Sequence, residues 1–373
     1  MEKWKKYTLN DVCLSIYSGG TPSTQKQEYW RGSINWLSSG ETSQRFIYET
    51  QRKISQLGVD NSSTRLAKKG TVIIASAGQG FTRGQTSFLM IDTYINQSII
   101  ACEANTKYVV PLFLYYNLAN RYEELRQLSD GTSTRGGLSG WIVKRMEINL
   151  PSFDVQNKIV SILESLDIMI ENNKRINKNL EEQAFTIFDV LFSNINYGER
   201  TIGEYITPQR GKGLLSKDAI NGNVPIVAGG LEPATYHNTA NTEAPVLTIS
   251  SSGANAGFVN LWSIPVWSSD SSFIDSSMTP DVYFWYVLLK KRQQEIFDSQ
   301  TGSAQPHIYP KHIANLSVSE IDNVQIKEYV TKVAPLFEMI GHNKNENNRL
   351  SGTRDSLLPK LMSGEIDVSD LSI

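Results

Sequence analysis

The sequence predicts an α+β protein: two mixed α/β domains, separated and followed by long helices that pair as an antiparallel coiled coil. Three observations predict it. First, residues 170–180 (IENNKRINKNL) resemble residues 340–350 (IGHNKNENNRL) at an offset of 170. Second, apolar residues around both segments recur at alternating steps of four and three, the spacing of a heptad seam. Third, short apolar runs elsewhere alternate with Gly- and Ser-rich turns, the pattern of strands broken by loops. A repeat of this period marks a duplicated unit. The predicted order is domain 1–151, helix 152–195, domain 196–320, helix 321–363 and tail 364–373.

In the first domain, strands are expected at 34–37 and 72–75, each before a Ser/Gly turn, and helix over 111–128. The first long helix has no Pro or Gly from Ser152 to Tyr197, and Gly198 follows as a stop signal. About 40 residues at ~1.5 Å each make it ~60 Å long. Its seam runs Ile159, Leu163, Leu166, Ile170, Asn173, Asn177, Leu180, Ala184, Ile187 and Leu191. The second domain repeats the style, with a strand expected over 245–249 and helix over 281–297. The second long helix has the matching seam Tyr329, Val333, Leu336, Ile340, Asn343, Asn347, Leu350, Arg354, Leu357 and Leu361. Ser152 and Asp322, both N-cap types, coincide under the offset, and Asp322 with Gln325 resembles a capping box. Pro335, Gly341, Gly352 and Pro359 fall inside the second helix and predict a kink or break.

Both seams carry two Asn at the same central places. A buried Asn costs stability but fixes register. An antiparallel pair centred there puts Asn173 near Asn347 and Asn177 near Asn343, each amide satisfying the other. Against this stands the plainer alternative of solvated Asn on two unrelated amphipathic helices. The double coincidence favours pairing.

The formal net charge is −2, unusual for a nucleic-acid binder. The charge is uneven, however. Residues 1–150 carry a net +6, residues 151–195 −3, residues 196–319 −2 and residues 320–373 −3. A second domain that binds nucleic acid must use neutral donors, few cations or a partner's charge. The N-terminus has no apolar segment of a secretory signal, and no run is long enough to span a bilayer. Cys13 and Cys102 lack metal or disulfide spacing, so a reducing cytoplasm is expected. There is no phosphate-binding GxxxxGK[ST], no GxGxxG, no GxSxG elbow, and no Asn- or Asp-Pro-Pro-aromatic motif of an amino-methyltransferase. His307 and His312 are five apart without a carboxylate or Cys cluster, which favours hydrogen bonding over metal.

Three stretches resemble the specificity (S) subunits of type I restriction-modification systems. They are Leu150-Pro151 with Gln156, Ile159, Leu163, Leu166-Asp167 and Ile170; the Asn- and Lys-rich 170–180; and the ending 357–368, LLPKLMSGEIDV. The resemblance implies two target-recognition domains, each reading one half of a bipartite DNA sequence. It implies paired helices that set the unread spacer and dock two methyltransferase subunits, with two motor-nuclease subunits as a further addition. The chain itself would be non-catalytic and bind no cofactor. S-adenosylmethionine, ATP and Mg would sit on the partners, and an isolated chain could self-associate through its seams.

On that reading, loops rich in base-reading side chains are the DNA-contact candidates. In the first domain they are Thr21, Ser23, Thr24, Gln25, Lys26, Gln79, Arg83, Thr132, Ser133, Thr134 and Arg135. In the second they are Arg210, Lys212, Lys217, Asn255, Gln305, His307, Tyr309 and Lys311. Most are expected to be solvated turn surface. Competing readings are a carbohydrate- or protein-binding β module using Tyr236, Trp262 and Trp267, a stand-alone DNA-modifying enzyme, and a homodimeric transcription regulator.

Overall fold

The computed structural model describes residues 4–78, 80–130, 137–195, 198–302 and 305–371. The chain forms two compact units: residues 1–168 with 350–373, and residues 169–349. The long helices, Phe153–Leu191 and Asn323–Ser363, each contribute one part to each unit. The α+β class is as the sequence predicts. Among the described residues no helix is long and apolar enough to cross a membrane.

In the first unit a five-stranded sheet has the order 13–18, 99–104, 72–75, 86–89, 46–47. A four-stranded sheet follows the order 52–54, 34–37, 93–95, 65–67, and a two-stranded ribbon pairs Lys5–Thr8 with Glu147–Leu150. The central strand Val72–Ala75 is buried at every residue because its two faces feed different cores. Val72 and Ile74 join a cluster with Ile100, Cys102 and Phe113, whereas Ile73 joins Leu37, Ile47 and Ala101. The period-two alternation of a strand thus turns an unbroken apolar run into two buried surfaces.

The second unit repeats the plan with shorter strands. Its four-stranded sheet has the order 209–210, 271–275, 246–250, 259–262. A three-stranded sheet follows the order 235–237, 224–227, 267–268, and a ribbon pairs Arg200–Thr201 with Ser317–Val318. Each unit also has a buried helix after its sheet, Pro111–Ala119 and Val282–Lys291.

The long helices pack antiparallel within each unit. In the second, Asn173 Nδ2 donates to Asn347 Oδ1 at 3.0 Å, and Asn343 Nδ2 donates to Asn177 Oδ1 at 2.8 Å. Asn173 also reaches Glu346 at 2.7 Å. Ile170, Val333 and Ile340 are buried there, with Leu180 and Leu336 partly buried against the same core. In the first unit Ile159 and Leu163 share a core with Leu358, Leu361 and Met362, while Leu166 and Leu350 are half-buried. The tail belongs to this core: Val368 is buried, and Lys158 Nζ donates to Ser369 O at 2.7 Å.

Three expectations are corrected. The seam drifts from strict heptads: Phe188 is fully buried, while the expected Ile187 and Leu191 are only partly buried against the same core. A helix of 3.6 residues per turn outruns a 3.5-residue repeat unless it supercoils fully. The second helix is continuous for 41 residues despite two prolines. Each interior proline costs ~3 kcal/mol, and burial of Tyr329, Val333, Phe337, Leu358 and Leu361 along the helix offsets that cost. Gly341 is there for space: a Cβ would lie 2.5 Å from Ser263 Cβ. Finally, Asp322 caps Val324 N at 2.8 Å, but Gln325 closes no capping box. Its Nε2 donates instead to Leu191 O at 2.7 Å, satisfying a carbonyl at the end of the first helix.

Candidate nucleic-acid interface

Each unit brings a hairpin turn against the loop that follows its buried helices. In the first, strands Val72–Ala75 and Thr86–Leu89 are joined by a Gly-rich turn, and Leu138 N donates to Ser76 O at 2.8 Å. In the second, strands Val246–Ser250 and Val259–Trp262 are joined by another, and Ile308 N donates to Ser251 O at 3.0 Å. Leu138 and Ile308 are 170 residues apart, and Ser76 and Ser251, 175 apart, each directly follow the corresponding strand, so the contact recurs in both units. Gly253 N to Pro306 O at 3.1 Å adds a second link. Positive φ at Gly253 (+82°) and Gly257 (+90°) lets the second turn close tightly.

This pairing gathers several candidates of the second domain. Asn255 Nδ2 donates to Gly229 O at 3.4 Å, a long contact that leaves the amide adjustable. His307 bridges to Ser252 and stacks on Tyr309 with centroids 5.9 Å apart. Arg210 forms an ion pair with Asp270 at 2.8 Å, and Asp270 also accepts from the Ser252 hydroxyl. Both members of that pair are well exposed, so solvent screens it and the guanidinium can exchange partners cheaply. Lys212 is exposed and its carbonyl accepts from Trp267 Nε1 at 2.8 Å. Gln305 is exposed in the loop, and Lys311 lies with its ammonium 6.0 Å from the Tyr309 ring. His312 Nδ1 accepts from Tyr309 N, and burial together with the Lys311 charge holds its imidazole below the ordinary value. Lys217 is exposed on a separate short turn, Ser216–Asp218.

In the first domain, Arg83 is half-buried in the hairpin turn. Gln79, Thr132, Ser133, Thr134 and Arg135 lie outside the described residues. Residues 21–26 form a different surface. Thr21 donates to Gln97 at 2.6 Å, Lys26 to the Tyr29 hydroxyl at 3.0 Å, and Ser23, Thr24 and Gln25 are exposed. Trp30 Nε1 donates to Ser23 O at 3.1 Å and so ties this loop to an aromatic platform. Trp30 and Trp36 meet edge to face at 4.9 Å, with the Arg52 guanidinium 3.7 Å above Trp30. Sequence reasoning missed Arg52. The available signal was an exposed basic pair, Arg52-Lys53, beside two tryptophans in a basic domain.

The buried helices of both units grip the first long helix in the same manner. The Tyr116 hydroxyl donates to Asp167 at 2.8 Å, and that of Tyr286 to Glu181 at 2.5 Å. These tyrosines are also 170 apart. Burial first, and then the carboxylate charge, push both phenols well above their ordinary range. Gln156, fully buried, accepts from Val110 N and donates to Tyr108 O and Pro151 O, closing the junction where the first long helix begins. Trp262 and Trp267 spend their indole N–H groups inside the domain, on Thr248 and Lys212.

Comparison with known proteins agrees with this architecture. Residues 1–182 match the family model described as the type I restriction modification DNA specificity domain. The chain is 27% identical to the type I restriction enzyme MjaIX specificity subunit of Methanocaldococcus jannaschii, over 99% of this chain and 94% of that one. It is 23% identical to the type I restriction enzyme HindI specificity subunit of Haemophilus influenzae, over 65% of this chain and 53% of the other. The crystal structure of a type I restriction-modification S subunit from M. genitalium shares the fold, with a TM-score of 0.60, 20% identity and 96% of each chain covered. The carbohydrate-module and stand-alone-enzyme readings find no support in these relatives. A duplicated domain-and-helix chain with a matched specificity domain over residues 1–182, and with a relative along nearly its whole length, is similar to the DNA specificity subunits of type I restriction-modification systems.

Proposed function

We propose that each domain reads one half of a split DNA site through its hairpin turn and the adjoining loop, while the paired helices set the unread spacer. The observation that carries this reading is the repeated backbone contact, Leu138 to Ser76 and Ile308 to Ser251, which builds the same two-part surface twice. Half-sites on one face of a duplex lie ~10 bp apart or a multiple of it, so a duplicated reader suits a bipartite target. The first domain, net +6, draws on phosphate attraction. The second, net −2, relies on neutral donors such as Asn255, Gln305 and Tyr309.

On this reading the chain performs no chemistry. An adenine inside a duplex must be flipped out before an enzyme can reach it, so reader and catalyst can be separate subunits. Two methyltransferase subunits would dock on the helices and carry S-adenosylmethionine. Two motor-nuclease subunits with ATP and Mg complete a cleaving assembly, and the complex works in the cytoplasm. Methylation sequencing of a host that expresses the chain with a methyltransferase partner tests the proposal. An asymmetric split motif is expected; a continuous or palindromic motif contradicts it. Within such a complex, Arg210→Ala should cost ~1–3 kcal/mol of binding and relax the second half-site alone if Arg210 reads a base.

A further inference from the structure

The hairpin turn of the first domain carries a side chain that polar base reading does not use. Phe81 is 79% exposed. A single exposed apolar residue is ordinary, but the backbone beneath this one is braced. The Tyr122 hydroxyl donates to Phe81 O at 3.0 Å, and Arg126 Nη1 donates to Gly80 O at 2.7 Å and to the Tyr122 hydroxyl at 2.8 Å. Gly84, with φ of +89°, lies so close to the helix Tyr122–Asp130 that a Cβ would come within 3.3 Å of Tyr122 O. Gly80 also has positive φ, +59°. The turn is therefore clamped to a helix at the residues that present the ring, and the ring is left outside. The Arg126 guanidinium stands 6.0 Å from its centroid.

A rigid carrier, an apolar tip and an adjacent cation in a basic domain suit stacking on a nucleobase. Apolar side chains that enter a base step act as wedges and partly unstack it. The geometry points to Phe81 as a wedge that stacks against or between bases in the half-site of the first domain. This rests on the reading of the hairpin-and-loop surface as the DNA interface. The matching turn of the second domain, residues 251–257, has no aromatic residue, so the wedge belongs to one half-site only.

The test uses the full chain assembled with its methyltransferase partner and the motif defined by methylation sequencing. Duplexes carry 2-aminopurine, a base whose emission rises on unstacking, at one position at a time, the methylated adenine excluded. The parent complex should raise emission at a step in one half-site. Phe81→Ala should abolish that rise and weaken binding about tenfold or more, with thermal stability unchanged, and Phe81→Trp should keep both signals. Unchanged emission and affinity in Phe81→Ala overturns the wedge. So does impaired subunit assembly with normal DNA affinity once assembled, which would make Phe81 a protein contact. Specific binding that also survives Arg83→Ala and Asn255→Ala would sink the interface reading itself. Sensitivity to those two with a silent Phe81→Ala would sink the wedge alone.

Discussion

Arg354 Nη1 donates to Asp167 Oδ1 at 2.7 Å in the first unit, with both side chains almost fully withdrawn from water. Asp167 also accepts from Tyr116, and Arg45 approaches it at 3.5 Å. The positions related by the 170-residue offset are Ala184 and Phe337, both buried and apolar, in the second unit. The duplicated helix pair therefore uses a charged lock in one unit and an apolar contact in the other. A buried ion pair adds little net stability, but breaking one strands a charge. Arg354→Ala should lower stability by ~3–5 kcal/mol. Adding Asp167→Asn, which keeps the acceptor for Tyr116 without the charge, should recover more than half of the loss. Urea unfolding of the two variants measures both, and a near-neutral Arg354→Ala contradicts the account.

The paired asparagines make a different prediction. Asn343→Ala strands the Asn177 amide and should cost ~1–3 kcal/mol. Asn177→Leu with Asn343→Leu should be neutral or stabilising but should loosen register, because it removes one of the two Asn pairs that specify alignment. Sedimentation of the doubly substituted chain should show self-associated species absent from the parent.

Two glycines of one helix should respond with opposite sign to the same change. Gly352 faces open space, so Gly352→Ala should stabilise by ~0.5–1 kcal/mol through helix propensity. Gly341 abuts Ser263, so Gly341→Ala should destabilise by ~1–3 kcal/mol through overpacking. Chemical denaturation of both variants decides it.

Alkaline pH should unfold the chain through its buried tyrosines. Tyr115, Tyr116, Tyr286 and Tyr329 all have pKa values raised chiefly by burial. Above about pH 10 the unfolded chain loses these protons while the folded chain keeps them. The stability they contribute is complete below that pH and is lost as pH rises toward the folded-state values. Tyr286→Phe should cost ~1.5–3 kcal/mol at neutral pH, for a hydrogen bond to a charged group. Its stability should also fall less steeply above pH 10 than that of the parent, as followed by denaturant midpoints and tyrosinate absorbance.

The helices and the Asn ladder were legible in the sequence because a seam is a local, periodic signal that the repeat prints twice. The continuity of the second helix was not, since propensity at Pro335 and Pro359 is local while the burial that overrides it is tertiary. Arg354 looked like a defect of an apolar seam that Asp167 stood outside; only their pairing across 187 residues explains both. Within the candidate interface the loops could be picked by composition, and Leu138–Ser76 and Ile308–Ser251 show which of them meet. Arg52 and Phe81 escaped because their surroundings, a tryptophan pair and a bracing helix, are assembled from distant segments.

Exchange of residues 1–151 for the corresponding domain of a relative with a different target, followed by methylation sequencing, probes the division of labour between the two domains most directly. One half of the recognised motif should change, with the other half and the spacer kept. Alteration of both halves, or of neither, would contradict a chain built as two independent readers.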